Sequence, residues 1–194
     1  VLYNIMSQNE WHTHNEVNGL ALSGLGNRLL VNGGRLGAPT RTAELNNTLT
    51  VNNKNHDTFT GGGTQEGILM PTFDYAKGLD GNAMNNVQHA RNLFLIHSEQ
   101  GAGGYFIIND ELAGKEGDEI QNYLHPASEN GVAIIQDLFE YTAPIDHYPT
   151  VEGTEVTICY ATIPEKININ KSPSAAQDRY PDYPEHNRLE ATYN

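Results

Sequence analysis

Gly19-Leu20-Ala21-Leu22-Ser23-Gly24-Leu25-Gly26-Asn27-Arg28-Leu29-Leu30-Val31 reads as two short apolar strands folded back on each other across a Gly/Asn-rich turn. The same grammar runs on downstream. Thr48-Leu49-Thr50-Val51 alternates with period two, and Asn52-Asn53-Lys54-Asn55 supplies turn chemistry at its end. Asn92–His97 and Gly104–Ile108 flank the loop Glu99–Gly103, and Gly131–Phe139 and Thr154–Thr162 complete the set of strand candidates. No segment keeps a helical period over about twelve residues. The pattern predicts an all-β, antiparallel two-sheet sandwich with few or no helices. Leu20, Leu22, Leu30, Leu49, Val51, Phe94, Ile96, Phe106 and Ile108 are the expected inward-facing residues.

Two stretches read as non-strand. Gly61 through Asn86 is rich in Gly, Asn and Asp and reads as a long loop. Residues 171–194, with Pro173, Pro181 and Pro184, read as an extended tail wrapped over the same domain. The 194 residues and 21.4 kDa fit one domain, or at most two small ones. No run of about eighteen apolar residues occurs, so no transmembrane helix is expected.

Charge is spread unevenly. Lys and Arg number 11 against 24 Asp and Glu, for a net −13. Arg28, Arg35, Arg41 and Lys54 balance Glu10, Glu16, Glu44 and Asp57 in residues 1–60, so the whole excess lies in residues 61–194. Such a chain has no general basic field for nucleic acid, and an anionic ligand would be met by the N-terminal third. The single cysteine, Cys159, excludes an internal disulfide framework and a multi-cysteine zinc site; its apolar alternation predicts a buried, inert thiol.

The densest chemical cluster is Trp11-His12-Thr13-His14-Asn15-Glu16. Residues two apart on a strand share a face, so His12 and His14 would stand side by side, able to share a metal or to divide binding and proton transfer. A pair of surface histidines is the plainer reading. A cupin metal site also uses His-x-His on a strand, but Glu16 follows too soon and no later His falls at the required place. Gly61-Gly62-Gly63 is no phosphate loop, because no Gly-Lys-Ser/Thr follows it. The letter patterns Asn46-Asn47-Thr48 and Asn170-Lys171-Ser172 are chance sequons in an Asn-rich chain.

The run His12-Thr13-His14-Asn15-Glu16-Val17-Asn18-Gly19-Leu20-Ala21-Leu22, then Gly26-Asn27-Arg28-Leu29-Leu30-Val31-Asn32-Gly33-Gly34, resembles the heparinase II/III-like C-terminal domain of polysaccharide lyases. That family shows His-x-His with a following acid, a strand, a Gly turn and Leu-Leu-x-Asp-x-Gly. An Arg-containing segment and His-Asn-Thr come next, matched here by Arg35 or Arg41 and by Leu45-Asn46-Asn47-Thr48. His89-Ala90-Arg91-Asn92-Leu93-Phe94 and Gly104 through Leu112 look like the family's later paired strands ending in Asp-Glu-Leu. The resemblance covers most of residues 9–140. It implies that residues 1–194 are the super-sandwich-like part of a larger lyase, with a helical toroid domain preceding them and the cleft between the two.

The resemblance also implies a chemistry: β-elimination at a uronic acid of an acidic polysaccharide, such as a glycosaminoglycan or alginate. His12 resembles the family's active-site histidine, and a neutral imidazole exchanges protons near pH 7. Arg35 and Arg41 would bind the substrate carboxylate or sulfate. The partner acid or base would come from the toroid domain, so the isolated chain is expected to be inactive. Family metal positions read His14, Asn32 and Asn46 here; two neutral carboxamides make a poor zinc set, so no cofactor is expected, a divalent cation at the His14 cluster being the alternative. A secreted protein of the bacterial periplasm or cell surface is implied. The rival function is a non-catalytic carbohydrate-binding or structural module that has lost the lyase chemistry.

Overall fold

A computed structural model describes residues 2–3, 14–31, 41–57, 61–84, 86–99, 103–127, 133–135, 138–143, 154–160, 164–172 and 186–193. The hairpin that opened the reading is present. Strands β3 (Leu22–Gly24) and β4 (Asn27–Leu30) pair antiparallel with Gly24 opposite Asn27, joined by Leu25 and Gly26 at φ 52 and 79. Two positive φ values define the mirror-image turn whose twist matches the strands it joins. Just upstream, β2 (Gly19–Leu20) pairs with β1 (Leu2–Tyr3).

Two four-stranded antiparallel sheets dominate. One runs in the order β6 (Gly63–Leu69), β7 (Phe73–Leu79), β8 (Gln88–Ile96), β9 (Tyr105–Ala113). The other orders β14 (Lys166–Ser172), β15 (His186–Tyr193), β10 (Ile120–Leu124) and β5 (Leu49–Val51). A third sheet joins β11 (Ala133–Ile135), β12 (Leu138–Ala143) and β13 (Thr154–Cys159). The one helical element among the described residues is a 3-10 turn at Ala43–Leu45. The fold is an all-β sandwich of antiparallel sheets, as predicted.

Alternation decides what meets in the core. Leu20, Leu22 and Leu30 from the hairpin region pack with Leu93 of β8, Leu124 of β10, and Leu189 and Ala191 of β15; Phe106, Ile108 and Ile167 close the margin. Truncating a fully buried leucine such as Leu20 or Leu189 to alanine costs about 2–5 kcal/mol. A smaller cluster of Leu49, Val51, Met84 and Val87 sits under β5.

Several expectations are corrected. Phe94 and Ile96 do not face this core: Leu93 pairs with Ile108 and Leu95 with Phe106, so the even-numbered residues of β8 lie on the opposite face. Gly61–Asn86 is mostly paired backbone, since β6 and β7 fall inside it; its glycines and acids are tolerated because β6 is an exposed edge strand. Within 171–194, His186–Tyr193 is an interior strand between β14 and β10. Cys159 is exposed, because the alternation of β13 turns Val156 and Ile158 inward and Glu155, Thr157 and Cys159 outward. Asp110 and Glu111 lie within β9 and do not end it.

Candidate functional site

The segment Asn15–Gly19 doubles back sharply before β2. The Gly19 N–H donates to the Glu16 carbonyl at 2.7 Å, and a Cβ on Gly19 would lie 2.7 Å from that same oxygen, so only glycine fits the return. This turn carries His14 and Glu16 toward the segment Arg41–Asn47. The Asn15 N–H donates to the Arg41 carbonyl at 2.8 Å, and the Asn15 side chain donates to the His56 carbonyl at 2.7 Å.

His14 Nδ1 lies 3.1 Å from Asn46 Oδ1. Asn46 Nδ2 donates to the Thr42 carbonyl at 2.8 Å, which leaves Oδ1 as the acceptor. His14 therefore carries its proton on Nδ1, and Nε2 is the basic nitrogen of the ring. Glu16 Oε1 is 3.8 Å from His14 Nδ1. Burial pushes the Glu16 carboxyl up to about 7, so it shares protonated and ionised forms near neutrality. Glu44 points elsewhere, 3.8 Å from Arg188.

Of the residues singled out in the sequence, His14, Arg41 and Asn46 come together here, Arg41 through its backbone. His12, Arg35 and Asn32 lie outside the described residues.

Beneath this cluster lies a polar centre that the sequence reading missed. Arg91, fully buried on β8, makes a bidentate pair with Asp110 of β9: Nε to Oδ1 at 2.7 Å and Nη2 to Oδ2 at 3.0 Å. Its remaining amino group donates to the carbonyls of Asn18 at 2.9 Å and Asn47 at 2.8 Å. One guanidinium thus ties the turn bearing His14 and the segment bearing Asn46 to the same sheet. His89 donates from Nε2 to Asp110 Oδ1 at 2.7 Å and accepts from Asn18 at Nδ1. Burial alone would raise the Asp110 carboxyl, but the Arg91 charge and the hydrogen bonds from His89 and Arg91 hold it well below the usual carboxylate range.

Asn47 and His56 complete the support. The Asn47 side chain donates to the carbonyls of Leu20 and Val31 and accepts the His125 N–H, linking three segments. His56 accepts the Val17 N–H at Nδ1 and donates from Nε2 to the Leu49 carbonyl at 2.7 Å. Burial lowers its pKa to about 4, so the ring is neutral. A signal for the polar centre exists: His89 and Arg91 share the strand parity of Leu93, so a core-facing Leu93 places both inside.

The described donors do not suit zinc: among the described residues of the cluster His14 is the one imidazole, Asn46 is neutral and donates to Thr42, and Glu16 is half protonated near neutrality. Among the described residues no three His, Cys, Asp or Glu side chains group in a metal-holding arrangement.

Fold and site together define an antiparallel β sandwich whose N-terminal turn presents a histidine and a buried acid above an ion-paired polar centre. No family model and no curated protein matches the chain. Among the described residues, no helix is long and apolar enough to cross a membrane.

Proposed function

We propose that this chain is the β-sandwich part of a polysaccharide lyase and contributes to β-elimination of a uronic-acid-containing acidic polysaccharide. The observation that carries the reading is the meeting of His14 with Asn46 and of Asn15 with Arg41, which brings the His-x-His segment against the Arg-containing one. In this reading Arg41 and Arg35 neutralise the uronate carboxylate, which lowers the barrier to removing the C5 proton. His12 exchanges that proton or offsets the carboxylate charge. His14, fixed by Asn46, and the proton-sharing Glu16 line the same turn. A helical domain of the same chain supplies the partner acid or base, and the protein works outside the cytoplasm, in the bacterial periplasm or at the cell surface.

The second reading is a non-catalytic carbohydrate-binding or structural module. It is favoured by Asn46 and Asn47, whose side chains are spent on holding backbone. Chemical-shift mapping with uronate oligosaccharides separates the outcomes. The lyase reading expects perturbation at His12, His14, Arg35 and Arg41, with no unsaturated product from the chain alone. Perturbation centred on residues 150–194 contradicts it.

A further inference from the structure

On the outer face of the β6–β9 sheet an amine, a carboxamide, a carboxylate and a phenol gather around Asn92, and the His14 turn uses none of them. Register places Lys77 of β7 directly opposite Asn92 of β8. It places Glu111 of β9 opposite Ala90, the next residue of β8 on the same face. Asn92 is 5% exposed, and its carboxamide is oriented from both sides. Tyr75 Oη donates to Asn92 Oδ1 at 2.8 Å, and Asn92 Nδ2 donates to Glu111 Oε1 at 3.0 Å. The carbonyl oxygen thus faces a proton donor, and the amide nitrogen faces a carboxylate. The Tyr75 and Phe94 rings, with centroids 4.7 Å apart, flank the group with apolar surface.

We infer that Lys77 and Asn92 join in an intramolecular isopeptide bond, a cross-link between β7 and β8 that the chain forms by itself. Directly opposed residues have Cβ atoms about 4.5–5.5 Å apart, a gap that the long lysine side chain spans. Ala90 offers only a methyl group beside them, so the amine can bend over it toward Glu111. Glu111 takes a proton from the Lys77 ammonium, and the neutral Nζ attacks Asn92 Cγ. The new Nζ–Cγ bond pushes the carbonyl electrons onto Oδ1, where the Tyr75 hydroxyl stabilises the oxyanion. Glu111 then delivers its proton to Nδ2. The carbonyl re-forms, the Cγ–Nδ2 bond breaks, and the departing ammonia takes a second proton from Nζ to leave as ammonium. One amide replaces another, so the balance needs no oxidant, reductant or co-reactant. The bond forms once per chain, and held geometry supplies what turnover speed does not. A single cysteine leaves the sheet without an internal disulfide, and an amide cross-link staples it under any redox condition. Glu66 stands opposite Lys77 on the β6 side, so a plain ion pair between those two is the competing arrangement.

Mass spectrometry of the whole chain is the test. The purified protein is one ammonia lighter than its sequence mass, and trypsin yields residues 55–91, uncut after Lys77, joined to residues 92–115. Lys77→Arg and Glu111→Gln, each shown to be folded by circular dichroism, have their full sequence masses and give separate peptides. A wild-type chain of full sequence mass that trypsin cuts after Lys77, as the ion pair with Glu66 gives, overturns the inference. Ammonia loss that persists in Lys77→Arg, as a succinimide at an asparagine gives, also overturns it. A cross-link present in Glu111→Gln overturns the proton route through that carboxylate.

Discussion

Asp110 accepts three hydrogen bonds from two buried bases, and this concentration of partners sets its energetics. Removing one member of a buried pair strands the other, so Asp110→Asn, which leaves the Arg91 charge in place, is expected to cost about 3–5 kcal/mol in urea denaturation. A loss under about 1 kcal/mol would mean that Arg91 is held by the Asn18 and Asn47 carbonyls alone. None of this was legible from Asp110-Glu111 as letters, which look like strand-ending turn residues. A buried carboxylate is recognised only through its partner, and Arg91 lies 19 positions away in sequence. At the His14 turn the donor set makes a separate expectation. Elemental analysis should find no stoichiometric zinc, and chelator should leave the melting temperature unchanged. About one zinc per chain with chelator-induced destabilisation would return His14 to the role of ligand.

At the scale of elements, turn chemistry was the readable part. Gly26 and the Asn52-Asn53 pair adopt the positive φ that their residue types predict. Leu25 is the exception in the β3–β4 turn, since it holds φ 52 with a side chain 83% exposed. A leucine there bears left-handed strain and buries nothing in return. Leu25→Asn is therefore expected to stabilise the chain by about 0.5–1 kcal/mol, whereas Gly26→Val should destabilise it. Equal or lower stability of Leu25→Asn in thermal melts would show that Leu25 makes an interaction worth more than the strain. Strand identity was harder to read where composition misleads. The glycines and acids of Gly61–Asn86 hid β6 and β7, and the facing of Phe94 and Ile96 depended on a register with β9 that no local pattern encodes. Strand β10 (Ile120–Leu124) also escaped the sequence reading; Gln121 and Tyr123, a polar residue and a tyrosine, are both buried and blur the alternation.

For the whole molecule, two buried groups titrate in opposite senses. Glu16 has a folded pKa of about 7 against 4.5 for an unburied glutamate, so its folded form binds the extra proton between those values. Its contribution is fully present below about pH 4.5 and is lost as pH rises through 7. His56 has a folded pKa of about 4 against 6.5, so its unfolded form binds the extra proton. Its contribution is fully present above about pH 6.5 and is lost as pH falls through 4. Between about pH 4.5 and 6.5 the two slopes oppose each other, and the pair predicts a flat stretch of stability against pH. Asp110, held low, adds its own loss only below the usual carboxylate range. Each single variant should unmask the other group's slope. Glu16→Gln removes the Glu16 slope and leaves His56 opposed by Asp80, whose carboxyl burial also raises, so stability rises with pH across the window by at most about 2–3 kcal/mol. His56→Gln forfeits two hydrogen bonds, which lowers the curve uniformly, and leaves Glu16 unopposed, so stability falls as pH rises. The slope, measured by urea denaturation at half-unit pH steps, is the readout. Parallel curves for wild type and both variants would show that neither group changes its proton binding on folding.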